Sequence, residues 1–339
     1  MLHARRWPIP LLLVLGLVLF LAHLLVGSVP IPPWSVLQAL IGDPVDAGHA
    51  LIVRGVRLPQ ATSAVLAGTG LATSGLLMQT LFRNPLAGPS VLGISSGASL
   101  GVALLLLGGP LLSMLPVPRD AALVIAALGG SLSVLMIILL ADRRLGDGTT
   151  LLIVGLMVGY LCSALISVLQ AASISEALKG FVLWGMGSFS GVGPERLVWL
   201  AVPCMLGIAA ALLLVKPLNA LLLGEEQAAS LGVPVVSTRR WIMWITGVLA
   251  GTITAFCGPI AFLGLATPHV ARGLVRTSDH SVLLPTTILC GAVLALACDL
   301  FARSPGFVGA LPLNSVTSLL GAPVVVWVLW SGKRWARSA

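Results

Sequence analysis

The chain has 339 residues, of which 58% are apolar and only 9% are charged. Soluble globular chains carry roughly 25% charged residues, so this composition excludes a cytosolic enzyme, and it excludes a disordered chain because such chains need low hydrophobicity. The net charge of +8 does not indicate nucleic-acid binding, because the basic residues lie in short loops between apolar runs. A helix of about 20 apolar residues crosses a bilayer, so the chain has room for about ten spans with modest loops.

Nine apolar runs follow one another along the chain and predict its membrane-spanning helices. In residue numbers they are 8–28, 58–82, 90–108, 121–141, 149–172, 197–215, 241–271, 282–298 and 313–331. The first run could be a signal peptide. It is long for one and no clear A-x-A cleavage site follows it, which favours an uncleaved first span with a cytoplasmic N-terminus.

The run at 241–271 is long for one helix and short for two, and Cys257-Gly258-Pro259 indicates a turn near its middle. With two spans here, both termini are cytoplasmic and 13 of the 19 Lys and Arg residues lie in inside loops. With one span, nine lie inside and ten outside, against the positive-inside rule. The sequence therefore predicts an all-α polytopic membrane protein of about ten transmembrane helices, in a single transmembrane domain over residues 1–339.

A faint internal repeat relates the two halves of the chain at one constant offset. It pairs Arg57 with Arg240, Gly68 with Gly251, Gly75 with Gly258, and Pro85 with Pro268. The offset maps span two onto span seven, which runs in the opposite direction. This is typical of the inverted-topology repeats found in transporters.

Two predicted cytoplasmic segments could serve a function. The turn that contains Asn84 and Leu86 holds two prolines and is flanked by small residues, so it is either a tightly packed helix pair or a constriction at the inner mouth of a pathway. The longest cytoplasmic loop, residues 216–238, is predicted to contain a short helix that starts at Glu225-Glu226 and is ended by Gly232. That helix is either a solvated connector or the surface that a soluble partner grips.

The predicted outer side carries Arg54 and Arg57 before span two and Arg303 after span nine. These arginines are either interfacial anchors or a docking surface for a soluble partner with acidic residues. Asp299 lies four residues before Arg303, which predicts a local ion pair. An acid inside an apolar run is also a candidate for a functional role.

Enzyme chemistry finds little support in the sequence. No HExxH or P-loop motif is present, so no ATP site of the P-loop kind is predicted. His269 has no second histidine nearby and is predicted to be a packed side chain. The five cysteines lie in or beside apolar runs without a CxxC pair, which predicts neither a disulfide framework nor a metal site.

Several motifs stand in a fixed order along the chain. The first half shows Arg57-Leu58-Pro59, Met78-Gln79 and Asn84-Pro85-Leu86-Ala87. The second half shows Ala228-x-Ser230-Leu231-Gly232, Gly258-Pro259-Ile260, Pro268-His269-x-x-Arg272 and Asp299-Leu300-x-Ala302-Arg303. Together they resemble the FecCD-type permeases, the membrane subunits of ABC importers for iron-siderophores, haem and vitamin B12. The likeness runs from about residue 50 to 331, with two departures near the end: Ala310 replaces an acidic residue, and Leu313-Asn314 replaces Val-Gly.

The resemblance implies the partners of this subunit. They are a second permease copy, most simply in a homodimer, two cytoplasmic ATPase subunits, and a periplasmic or lipid-anchored binding protein that delivers a metal chelate. ATP and Mg would be bound by the ATPase, and this chain would hold no cofactor of its own. The location implied is the bacterial cytoplasmic (inner) membrane.

The resemblance also implies roles for particular residues. The residues that would dock the binding protein are Arg54, Arg57 and Arg303. The cytoplasmic gate would contain Asn84 and Leu86, with Thr149 and Thr150 in a second gate loop. Coupling to the ATPase would use Glu225, Glu226, Ala228, Ser230, Leu231 and Gly232. The competing class is an ion-coupled secondary transporter, which would need buried ionisable groups, and only Asp299 is available.

Overall fold

The computed structural model describes residues 7–42, 46–109, 118–146, 148–303 and 311–335, and within these ranges the chain is built of helices without a strand. The α-helices are α1 (Pro8–Leu25), α2 (Pro33–Ile41), α3 (Ala47–Ile52), α4 (Leu58–Leu81), α5 (Ile94–Leu107), α6 (Arg119–Leu145), α7 (Gly148–Ala172), α8 (Ser175–Gly185), α9 (Pro194–Leu213), α10 (Val215–Leu221), α11 (Glu225–Ser230), α12 (Val235–Cys257), α13 (Leu263–Val275), α14 (His280–Ala302) and α15 (Leu313–Trp335). A π-helical turn, Val53–Arg57, joins α3 to α4, and a 3-10 turn, Pro89–Leu92, precedes α5.

The predicted spans correspond one to one with ten of these helices. The ambiguous run is divided as predicted, since α12 ends at Cys257 and α13 begins at Leu263. Among the described residues, seven helices are long and apolar enough to cross a membrane, and Ile94–Leu107 and Leu313–Trp327 are shorter apolar helices. Helix α13 is also short, because a helix of its length extends only about 20 Å and a bilayer core is about 30 Å thick. The count of ten spans is therefore approximate.

Helix α4 lies at the centre of the bundle, with almost every side chain buried between α9, α12, α13 and α14. Glycines allow this close approach. A Cβ atom on Gly68 would lie 2.2 Å from the carbonyl oxygen of Gly291, and one on Gly75 would lie 1.7 Å from the carbonyl oxygen of Gly264. The backbones of α13 and α14 therefore touch α4 directly.

The outer helices are exposed along most of their apolar surface. Only 17% of the apolar window of α7 and 22% of that of α9 is buried within the chain. An apolar surface of this extent is stable against lipid or a second protein rather than against water. The described chain is thus a multi-pass membrane protein whose polar contacts are concentrated at the two ends of the bundle.

The residue pairs of the predicted repeat occupy different local structures. Gly75 lies inside α4, whereas Gly258 follows the end of α12 with a positive φ of 73°. Pro85 lies in a turn, whereas Pro268 lies inside α13. The inverted repeat therefore stays a prediction.

Candidate translocation cleft and coupling surface

The two ends of the bundle are named after one arginine each. The Arg303 end is where α4 begins and α14 ends. The Arg272 end is where α4 ends, α13 ends and α14 begins. The sequence predicts that the first faces outward and the second faces the cytoplasm.

A cleft of about 310 Å³ opens where the chain breaks between α12 and α13. The break is irregular because Gly258 and Phe262 both have positive φ values, 73° and 61°. The lining residues are Leu71, Leu86, Gly88, Pro89, Ser90, Val91, Ser95, Pro259, Ile260, Ala261, Phe262, Gly264, Leu265 and Asn314. Apolar and small side chains with a few polar atoms are typical of a path for a bulky organic ligand.

Asn314 fixes one wall of this cleft. Its Nδ2 donates to the carbonyl oxygens of Pro259, at 2.7 Å, and Gly185, at 3.0 Å. Its Oδ1 accepts from the backbone N–H of Ala261 at 2.9 Å. One side chain at the start of α15 thus holds both the α12–α13 break and the end of α8. Sequence reasoning noted Asn314 only as a departure from the family pattern and missed this role.

The predicted gate residues Asn84 and Leu86 lie in the turn after α4. Asn84 Oδ1 accepts from the backbone N–H of Leu86 at 2.9 Å, an Asx turn that sets the direction of the chain. The Leu86 side chain is 38% exposed and lines the cleft at this end. We call residues 83–89 the gate turn.

The second predicted gate pair, Thr149 and Thr150, lies at the start of α7. The Thr149 side chain is outside the described residues, and Thr150 is partly buried. A Cβ atom on Gly148 would lie 3.6 Å from Cδ1 of Phe82, so the start of α7 adjoins the end of α4. The structure thus places both predicted gate segments at the Arg272 end.

A buried polar cluster pins the gate turn to α13. His269 Nε2 donates to the carbonyl oxygen of Pro85 at 2.8 Å. Gln79 accepts from Arg272 Nη1 at 2.6 Å and donates to the carbonyl oxygen of Leu265 at 3.1 Å. His269 is therefore a packed, hydrogen-bonded side chain. Sequence reasoning named these residues as motifs but could not pair them, because they lie in different halves of the chain.

The predicted short helix of the coupling loop is confirmed as α11. Glu225 and Glu226 lie in its first turn, and Gly232 follows its end with a positive φ of 84°. Ala228 is fully buried, while Ser230 is exposed and donates to the carbonyl oxygen of Glu226 at 3.0 Å. Leu231 is 66% exposed, so the segment presents an apolar side chain beyond the body of the bundle.

Glu225 anchors this segment to α12. Both of its carboxylate oxygens accept from Arg239 Nη2, at 2.8 and 2.6 Å. Arg239 Nη1 donates in turn to the carbonyl oxygen of Gly146 at 2.6 Å, and the Arg239 side chain is only 6% exposed. Because charge-assisted bonds to a buried arginine are strong, α11 is held rigidly against the bundle.

A second set of bonds joins the coupling loop to α4. Asn219, in α10, donates to Asp279 at 2.7 Å, and its Oδ1 lies 2.9 Å from His280 Nδ1. His280 Nε2 lies 2.9 Å from Thr80 Oγ1, and Thr80 is the neighbour of Gln79 in α4. Hydrogen bonds from Ser281 and Asn219 lower the pKa of the Asp279 carboxyl, which keeps it an acceptor.

The gate turn is also close in space to residues 224–232, the segment around α11 that we call the coupling segment. A Cβ atom on Gly224, just before α11, would lie 3.5 Å from Arg83 Nη1. Together with the bonds through His280, this proximity makes α10, α11, the end of α4 and the gate turn one connected unit.

The predicted docking arginines differ in exposure at the Arg303 end. Arg54 is exposed, and its Nε donates to the carbonyl oxygen of Ala39. Arg57 is also predicted to dock the binding protein, but its side chain is buried within the described chain and donates to the carbonyl oxygens of Leu24, Leu25 and Val29, so this role stays a prediction. Unpaired carbonyls at a helix end need donors, and Arg57 supplies them to α1.

Arg303 is only partly available, because it belongs to a buried cluster around Asp299. The predicted ion pair is confirmed, with Arg303 Nε 3.0 Å from Asp299 Oδ2. The same oxygen lies 2.6 Å from His23 Nε2 and accepts from Gln60 Nε2 at 3.0 Å. One carboxylate thus joins α1, α4 and α14.

Asp299→Asn is expected to destabilise the fold by about 3–5 kcal/mol, because it leaves a largely buried arginine without its counter-charge. That arginine is Arg303, whose side chain is only 16% exposed. Thermal unfolding of the detergent-purified chain measures the effect. The matched control is Asp120→Asn, which breaks an exposed pair with Arg196 and should cost at most about 1 kcal/mol. Equal losses in the two variants would contradict a structural role for Asp299.

The fold and these end clusters define a membrane-embedded transport protein rather than an enzyme. The sequence matches the FecCD transport family over residues 13–331, and the chain belongs to that family.

Several relatives are similar along nearly the whole chain. The vitamin B12 import system permease protein BtuC of Klebsiella pneumoniae is 39% identical over 96% of this chain and 94% of its own length. BtuC of Salmonella newport is 39% identical over 86% of this chain and 88% of its own length. The family resemblance inferred from the motifs is therefore confirmed.

Solved structures agree with this assignment. A structure described as an inward-facing conformation of a metal-chelate type ABC transporter aligns with a TM-score of 0.83 and 30% identity, covering 96% of this chain and all of that one. PsaBC from Streptococcus pneumoniae aligns with a TM-score of 0.53 at 16% identity, over 80% of this chain and 89% of that one, which supports the fold alone.

Proposed function

We propose that this chain is the permease subunit of an ABC importer that carries vitamin B12 across the bacterial cytoplasmic membrane. The observation that carries the proposal is the set of bonds through Asn219, His280 and Thr80, which joins α10, just before α11, to the end of α4, just before the gate turn. An ATPase that moved α11 would move the gate turn with it. A transporter driven by ions alone would not need an exposed helix such as α11 that is bonded to the rest of the bundle.

The proposed partners would bind at the exposed surfaces at the two ends of the bundle. In a pair of permease copies, Leu231 of each copy would enter a pocket on one of the two cytoplasmic ATPase subunits, which bind ATP and Mg, while this chain binds neither. A binding protein would dock at the Arg303 end. This orientation puts both termini in the cytoplasm, in keeping with the excess of Lys and Arg in the predicted inside loops.

Vitamin B12 is favoured among the chelates because two relatives at 39% identity are named as vitamin B12 permeases. Iron-siderophores and haem are the alternatives. Uptake of labelled cyanocobalamin by cells that carry the complete importer, with an excess of unlabelled ferric siderophore or haem as competitor, tests the choice. Only unlabelled cyanocobalamin is expected to compete with the labelled compound. If the ferric siderophore or haem abolishes the uptake of label and unlabelled cyanocobalamin does not, another chelate is the substrate.

A second copy of the chain would close the cleft at Leu86. Leu86→Cys is expected to form a disulfide between two copies in the resting state, because paired gate turns would face each other across a dimer axis. The five natural cysteines are buried, so background reaction is low. Ile125→Cys, on the exposed face of α6, is the control and should form none. No disulfide at Leu86 in any nucleotide state would argue against a paired gate.

The docking proposal now depends mainly on Arg54, with a smaller part for Arg303. Arg54→Glu is expected to slow association of the binding protein about tenfold or less at low salt, with a smaller effect at high salt, because rim charges act mainly on the association rate. Surface plasmon resonance measures the rates. Lys179→Glu, an exposed charge reversal in α8, is the control. An unchanged rate in the Arg54 variant would remove this assignment.

A further inference from the structure

A groove of about 710 Å³ lies between α9 and α12, on the outside of the bundle and apart from the cleft. It is lined from α9 by Val202, Pro203, Leu206 and Gly207, and from α12 by Ser237, Arg240, Trp241, Trp244, Ile245 and Val248. Its walls are accessible from the membrane, since Leu206 is 67% and Trp241 58% exposed. The proposed transport cycle assigns no role to this groove.

The polarity of the groove changes along its length. Ser237 and Arg240 lie within the first two turns of α12, and the lining from Trp241 to Val248 is apolar or aromatic. The eleven steps from Ser237 to Val248 extend about 17 Å along a helix, and one leaflet of a bilayer core is about 15 Å deep. The groove therefore has a polar mouth and an apolar trough with the depth of a single leaflet.

Arg240 supplies an unsatisfied positive group at the mouth. Its Nε lies 3.5 Å from Asp142 Oδ2, while Arg239 approaches the other oxygen of the same carboxylate at 3.3 Å. Within the described ranges, no hydrogen-bond acceptor is found for the buried Nε of Arg240, and the side chain as a whole is 42% exposed. Arg239 is also paired with Glu225, whereas Arg240 approaches only Asp142, so a partly exposed guanidinium group remains at the mouth.

We infer that the groove binds an anionic phospholipid, with its phosphate on Arg240 and an acyl chain along the trough. Guanidinium groups bind phosphate oxygens strongly, and basic pockets between transmembrane helices hold lipid headgroups. Trp241 and Trp244 lie close to Arg240 in the lining, and tryptophan side chains are enriched at membrane interfaces. The inference depends on Arg240 and the groove, not on which substrate is transported.

Native mass spectrometry of the detergent-purified chain tests the inference by titration with phosphatidylglycerol and phosphatidylcholine of identical acyl chains. The wild-type chain is expected to retain phosphatidylglycerol about fivefold better, the ratio that about 1 kcal/mol for one arginine produces. Arg240→Gln should remove this preference. Arg144→Gln, which changes an exposed arginine at the end of α6, should keep it. A thermal unfolding measurement on both variants serves as the control, and both are expected to remain folded.

A second variant tests the trough itself. Leu206→Trp is expected to fill the groove and to reduce retention of both lipids, and the exposed position tolerates the larger side chain. Wild-type preference for phosphatidylglycerol in Arg240→Gln would overturn the inference. It would also be overturned if Leu206→Cys formed disulfides between two copies in membranes, because a second copy would then occupy the groove.

Discussion

Gly75→Ala is expected to prevent normal assembly of the helix bundle. The new Cβ atom would lie 1.7 Å from the carbonyl oxygen and 2.6 Å from the carbonyl carbon of Gly264, and backbone atoms cannot rotate away. Overpacking of a side chain typically costs about 1–3 kcal/mol, and displacing α13 from α4 should cost at least that. A large fall in the thermal unfolding temperature, or loss of monodisperse protein, is the expected result.

Gly273→Ala is the matched control, because it lies in the contacting helix α13 with no atom within 4 Å of the new Cβ. Alanine at such a position restricts the unfolded chain and should stabilise by about 0.4–1 kcal/mol. Opposite signs for the two substitutions would confirm that backbone contact between α4 and α13 holds the cleft in shape. A Gly75→Ala chain as stable as the wild type would contradict it.

Leu231→Asp is expected to abolish ATP-driven transport. The side chain is 66% exposed on the coupling segment, so the change should leave the fold intact. It would place a charge in the apolar pocket proposed on the ATPase, where an unpaired charge is strongly unfavourable. Co-purification of the ATPase and substrate-stimulated ATP turnover measure the loss.

Leu145→Asp, at an exposed leucine that ends α6, is the control for Leu231→Asp and should keep both activities. If assembly and stimulated turnover both survive Leu231→Asp, the coupling assignment fails.

Much of the fold could be predicted because apolar runs report directly on membrane helices. The break at Cys257-Gly258-Pro259 and the end of α11 at Gly232 were predictable because glycine and proline act locally. The helices outside the apolar runs, such as α8 and α10, were missed. They are short and give no hydropathy signal that would distinguish them from loops.

Burial and long-range pairing could not be predicted, because they depend on contacts between positions that are distant in the sequence. Arg57 has the sequence context of an exposed loop arginine, yet it is buried under the end of α1, and no local signal shows this. His280 and Thr80 are far apart in the sequence, so their bond emerges only from packing of α14 on α4. Asn314 was visible as a departure from the family pattern, and an amide in an apolar run is the signal that could have identified it.

The connected unit at the Arg272 end is expected to turn ATP hydrolysis into movement of the gate turn. Uptake of labelled cyanocobalamin into membrane vesicles that hold this chain, its ATPase and its binding protein tests that mechanism most directly. Uptake should require ATP supplied on the ATPase side, should persist when proton and sodium gradients are collapsed, and should be lost in the Leu231→Asp variant. Uptake driven by an ion gradient in vesicles that lack the ATPase would contradict the mechanism.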